Sequence, residues 1–174
     1  MNRVLVLAAP LAAAGLLVGS AAAKTPYPPK ASGSGTETTG GSGLGAGVSF
    51  APRFALATYD GEHYVLYLTP KPVTCAKAVF TKPPYLTVTI VGGAPLVVGK
   101  PTPNSGSSAF VQVDFFVGPT HYYAVQPKVK LVLTRVDPRK NGVWHGRVTV
   151  PTTHFEGKSF SFAGTFAARW CGKA

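Results

Sequence analysis

From Val48 onward the chain is a succession of short apolar runs that alternate with polar residues and stop at turns. In YLTVTIV, Leu86, Val88 and Ile90 alternate with Thr87 and Thr89. In FVQVDFFV, Val111, Val113, Phe115 and Val117 oppose Gln112 and Asp114, and in KVKLVLT, Val129, Leu131 and Leu133 oppose Lys128 and Lys130. Side chains on a pleated strand point to alternate faces, so each run predicts a strand with one buried and one wetter face. SFSFAGTFAARW places Phe160, Phe162, Phe166 and Trp170 on one face with Gly164 in register. It predicts a long last strand with a bulge or a close backbone contact at the glycine. No convincing amphipathic helix is visible.

The turns agree. Asp60-Gly61 between RFALATY and EHYVLYL is a hairpin signal. Asn141-Gly142 closes the turn DPRKNG, and Glu156-Gly157-Lys158 precedes the last strand. Roughly eight or nine short strands with frequent turns predict an all-β domain, a single antiparallel two-sheet sandwich of immunoglobulin-like type. A jelly roll or a small barrel is the alternative. Phe54, Phe115, Trp144, Phe160, Phe162 and Phe166 are the expected core aromatics.

The first residues follow a different logic. Arg3 precedes an apolar stretch from Val4 to Val18, broken by Pro10, and Ala21-Ala22-Ala23 supplies small residues before Lys24. This predicts a cleavable signal peptide over 1–23. The apolar run falls short of the ~20 residues of a spanning helix, so no transmembrane segment is expected in the mature chain. Residues 24–47 are rich in Pro, then in Gly, Ser and Thr, and read as a flexible linker. The domain is then 48–174, secreted or periplasmic.

Charge sharpens the picture. Of 174 residues, 17 are Lys or Arg and 6 Asp or Glu, a formal net charge of +11, which loss of Arg3 with the leader lowers by one. Such a balance favours acidic partners, here an anionic cell-surface polymer or another envelope protein; nucleic acid is not expected. The densest basic segment holds Lys128, Lys130, Arg135, Arg139 and Lys140, and with Tyr122 and Tyr123 it forms the candidate ligand surface. The competing reading is an edge strand whose lysines discourage aggregation.

Cys75 and Cys171 are the only cysteines, and two cysteines in an exported chain are expected to pair. Neither sits in a Cys-x-x-Cys or beside a His, which argues against a metal site or a thiol nucleophile. His63, His121, His145 and His154 are scattered with no ligand spacing, so no metal is expected. The glycines of the linker are followed by no Lys-Ser/Thr, so no phosphate-binding loop and no cofactor is expected. Ser105-Gly106-Ser107-Ser108 is no nucleophile elbow. Asp114 stands at a strand centre, where a partner role for an outward Lys or Arg is the first expectation. A secreted hydrolase with a non-motif site is the alternative, and His121 and Asp114 are its leading candidates. The chain is expected not to be an enzyme.

VSFAPRFALATYDGEHYVLYLTPKPVTCAKA and the closing GTFAARWCGK carry a resemblance. Leu68-Thr69, Pro72-Val73-Thr74-Cys75 and Gly164-Thr165-Phe166 running to Cys171 resemble uncharacterised exported bacterial β-sandwich proteins with one disulfide. The resemblance covers about 48–174 and implies a disulfide-tied sandwich. It implies no activity or catalytic residue.

Overall fold

In the computed structural model, residues 31–39, 48–80, 82–92, 96–104, 109–118, 120–125, 128–155 and 158–173 are described. They form β1 (Ala31–Thr39), β2 (Val48–Phe50), β3 (Phe54–Tyr59), β4 (Tyr64–Thr69), a 3-10 helix (Cys75–Phe80), β5 (Tyr85–Val91) and β6 (Phe110–Val117). There follow β7 (Thr120–Val125), β8 (Lys130–Arg135), β9 (Val143–Phe155) and β10 (Lys158–Lys173). The fold is all-β, as the alternation predicts. The proposed signal peptide, residues 1–23, lies outside the described residues.

β10 organises everything, because its 16 residues are long enough to serve three partners. One edge pairs with β9 from Lys158 to Arg169. The other pairs with β1 from Lys158 to Phe166, and then, in parallel, with β3 from Arg169 to Lys173. One arm of the sheet therefore runs β8-β9-β10-β1-β2, and the other continues β10-β3-β4-β5-β6-β7. The result is one curled mixed sheet, a half-barrel, in place of two separately bonded antiparallel sheets. The apolar faces of the arms meet inside it. Phe50 of β2 lies 5.0 Å from Phe115 of β6, which stacks at 4.5 Å on Phe160 of β10.

Three local findings depart from the sequence expectations. First, Ala31–Thr39, read as part of a flexible linker, is a strand bonded to both β10 and β2. A small-residue composition argues against side-chain packing, but two ladders satisfy the backbone without it. Secondly, Phe54 is only half-buried and lies off the core, while Phe50 is fully buried within it. The reason is parity: Ala55 and Ala57 face the interior, so Phe54 and Leu56 face the other way. Thirdly, Gly164 is in regular register with Gly33 and Val148. The irregularity falls instead where Phe160 pairs with Thr153 and Phe162 with Val150, which leaves an extra residue in β9 beside Pro151. Proline has no N–H to give a ladder, so a bulge forms there at little cost.

Gly146, opposite Phe166 on β10, is closely approached by its neighbours. A Cβ there would stand 2.6 Å from the Phe166 ring and 2.6 Å from the Val132 carbonyl oxygen. Gly146→Ala should therefore destabilise by about 1–3 kcal/mol through overpacking. Urea unfolding measures this, and a midpoint equal to wild type would refute the assignment.

The asparagine and aspartate turns form as predicted. Asp60 Oδ1 accepts the Glu62 and His63 backbone N–H groups at 2.9 and 2.7 Å, closing the β3–β4 hairpin. Asn141 adopts φ 65° between β8 and β9, and its N–H donates to the Trp170 carbonyl. Cys75 and Cys171 are bonded, with Cα atoms 5.5 Å apart. The bridge fastens the start of the 3-10 helix, not a strand, to β10. Beneath it Leu56 and Val73 form a small second core against Tyr67 and Cys171. Among the described residues no helix is long and apolar enough to cross a membrane.

Candidate functional site

The basic segment predicted from sequence lies on the β8–β9 hairpin and the approach to it. Lys128, Lys130, Arg135, Arg139 and Lys140 are all exposed. Strand register extends the group beyond the segment. Lys130 pairs with Thr149, Val132 with Arg147, and Arg135 with His145. Cross-strand partners share a face, so Lys130, Arg147, Arg135 and His145 point the same way. Plain alternation would have turned Arg135 inward with Leu131 and Leu133. A register shift between Leu133 and Arg135 leaves Thr134 unpaired and re-aims Arg135 outward.

The neighbouring strand completes this face. Thr149, Arg147 and His145 pair across to Ala163, Thr165 and Ala167 of β10. Ala163 and Thr165 are exposed, so a floor of small side chains lies beside the cations. Arg147 was not among the sequence candidates: it stands alone among apolar and Thr residues in VWHGRVTV, and only strand pairing brings it to Lys130 and Arg135.

Arg139 behaves differently. Its Nε and Nη2 donate to the two Asp137 oxygens at 2.9 and 2.7 Å. These bonds, followed by that from its backbone N–H, lower the Asp137 carboxyl to about 2, and the charge of Arg135 contributes. Asp137 is thus committed to Arg139. The other four segment cations and Arg147 are in no ion pair with a described carboxylate.

The β8 edge is also not open to solvent. The Gly99 N–H donates to the Leu133 carbonyl at 2.7 Å and the Thr102 N–H to the Leu131 carbonyl at 2.8 Å. Residues 98–102 therefore cover the edge, and edge protection does not account for the lysines. Tyr122 and Tyr123 are on β7, opposite Phe115 and Asp114, in the other arm of the sheet. Their side chains lie outside what is described.

A second cluster occupies the outer face of β5, β6 and β7. Asp114, buried, accepts from Gln112 Nε2 on both oxygens at 2.9 Å and lies 2.7 Å from His121 Nε2. The sequence expectation of a Lys or Arg partner is replaced by an amide and an imidazole. Tyr85, Phe116 and His121 stack in register across three strands, with ring centroids 4.5 and 4.4 Å apart. Burial, followed by the Asp114 charge, raises the Tyr85 hydroxyl above its ordinary value. Rings racked against each other spend their faces on cross-strand contact, which stabilises a sheet. A sugar platform needs free ring faces. Both cysteines are in the disulfide, so no thiol stands ready as a nucleophile for His121.

One interior cleft is formed among the described residues. Lined by Tyr64, Leu66, Leu131, Trp144 and Phe166 among others, it leaves about 10 Å³, on the order of one water molecule. No group of three or more potential metal-ligating side chains occurs among the described residues.

The fold and its surface thus define a class: an all-β, disulfide-tied module with a basic, carboxylate-poor face. No family model matches the chain, and neither a curated protein nor a solved structure does.

Proposed function

We propose that the chain is an exported, non-catalytic module that binds an anionic polymer at the cell envelope or outside the cell. One observation carries this reading: Lys128, Lys130, Arg135, Arg147 and Lys140 are exposed with no described carboxylate paired to them. Concentrated charge of one sign raises the local concentration of an oppositely charged ligand. The leader-like N-terminus, the disulfide and the resemblance to exported β-sandwich proteins support export. In the same reading the two arms act as the layers of an immunoglobulin-like sandwich, with β10 as their shared corner.

The test is binding of the chain lacking residues 1–23 to dextran sulfate, polyphosphate and polyglutamate over a salt series. Affinity should fall steeply as salt rises, because exposed charges are screened beyond about 8 Å at physiological ionic strength. Lys128→Ala, Lys130→Ala and Lys140→Ala combined should weaken every interaction. Absence of binding at low salt would make the charge a solubility feature and overturn the proposal.

A further inference from the structure

The outward face of β8, β9 and β10 has a shape as well as a charge. Its cations zigzag between two strands, Lys130 and Arg135 on β8 with Arg147 on β9 at the level between them, and His145 stands opposite Arg135. Beside them on β10 lie Ala163, Thr165 and Ala167, which present nothing larger than a methyl group or a hydroxyl. Among the described residues the outward positions of this face hold no Phe, Tyr or Trp. Trp144, Phe160, Phe162 and Phe166 all belong to the buried core. Polymers of rings are normally gripped through their faces: bases stack on aromatic side chains, and amphipathic aromatics serve binding surfaces generally. A strip of sheet with cations on one side, small side chains on the other and no stacking platform suits a charged chain without rings.

Two of the cations are arginines, whose planar fork matches the paired oxygens of a phosphate, whereas lysine acts as a point charge. Their placement is built into the backbone, since Arg135 reaches this face only through the bulge at Thr134. The three cations fall at successive ladder levels of β9, those of Thr149, Arg147 and His145, which are two residues and so roughly 7 Å apart along the strand. That spacing suits successive phosphates of an extended diester chain.

We infer that this face is a track for a phosphodiester-linked polyol chain, its phosphates held by Arg147, Arg135 and Lys130 and its linkers lying over Ala163, Thr165 and Ala167. The inference rests on the anionic-polymer reading above and narrows it to one polymer chemistry and one face.

The experiment compares poly(glycerol phosphate), heparin, single-stranded DNA and polyglutamate, matched in charge, against the wild-type chain and exposed-residue variants. Poly(glycerol phosphate) should bind most tightly. Arg135→Ala with Arg147→Ala should weaken it about tenfold or more and reduce the salt slope by about two, one per lost phosphate contact. Arg147→Lys should keep the slope and still lose affinity, because charge remains while the fork is gone. Thr165→Glu, an exposed change that leaves every cation in place, should also abolish binding by putting a carboxylate in the track.

Equal binding of all four polymers, or variants no weaker than Lys71→Ala with Lys82→Ala on other surfaces, would overturn this inference while leaving the general reading intact. Preference for heparin or for DNA would reassign the ligand to a sulfated glycan or a nucleic acid and overturn it as well. No binding of any polymer would remove both readings. Circular dichroism of each variant separates lost binding from lost folding.

Discussion

Reduction of the Cys75–Cys171 bridge should cost the domain on the order of 4–5 kcal/mol, an amount comparable with much of a small domain's total stability. The bridge spans 96 positions, and in the chain-entropy account the unfolded chain gains more freedom the longer the loop released. The bridge also lies over Leu56, Val73 and Tyr67, so removing the sulfur atoms has a packing cost of its own. Three samples separate the effects: oxidised wild type, reduced wild type, and Cys75→Ala with Cys171→Ala. The oxidised-to-reduced difference isolates the cross-link, and the further step to alanine isolates packing. Urea unfolding at constant pH gives both. Coincident midpoints for the oxidised and reduced protein would show that the cross-link adds nothing.

Much of this architecture was legible because period-two alternation and turn chemistry are local. Leu86, Val88 and Ile90 are buried as their spacing predicts, and Asp60-Gly61 and Asn141-Gly142 close the hairpins assigned to them. The pairing of two cysteines needed only their number and the expected compartment. What escaped the sequence depends on distant partners. β1 could not be read from its composition, because its reason for being a strand is the free edge of β10. Phe50 and Phe54 exchanged roles because the face a residue takes depends on strand parity, and a three-residue strand such as β2 carries almost no alternation to read.

The basic face illustrates the same limit. Lys128, Lys130, Arg135 and Lys140 cluster along the chain, and so were visible as a group. Arg147 joins them only through the β8–β9 ladder, and Arg135 faces the same way only because of a bulge. Arg139, indistinguishable from its neighbours in sequence, is tied up by Asp137 two residues away. A charge count therefore located the surface, but pairing determined which charges are available on it. The acidic residue that drew attention, Asp114, belongs to the opposite arm and is held by Gln112 and His121.

Phe115→Ala should be the most damaging single core substitution, costing about 3–5 kcal/mol. Phe115, of the β3–β7 arm, is fully buried and meets rings of the other arm, Phe50 at 5.0 Å and Phe160 at 4.5 Å. Phe50 also lies 5.9 Å from Phe162, so truncation at position 115 opens a void between β2, β6 and β10 together. These elements are far apart in sequence, and a core dense enough to transmit such a loss relaxes only partly around it. Phe54→Ala is the matched control, a half-buried phenylalanine on the other face of β3, and should cost clearly less. Urea unfolding followed by circular dichroism compares the two, and equal losses would refute the placement of Phe115 at the junction. The shape of the transition carries a second result. β10 hydrogen-bonds to strands of both arms and the rings around Phe115 pack the arms together, so the two share one core. Phe115→Ala should therefore unfold in one step at a lower urea concentration, while two separated steps would mean that the arms are independent units joined only by the chain.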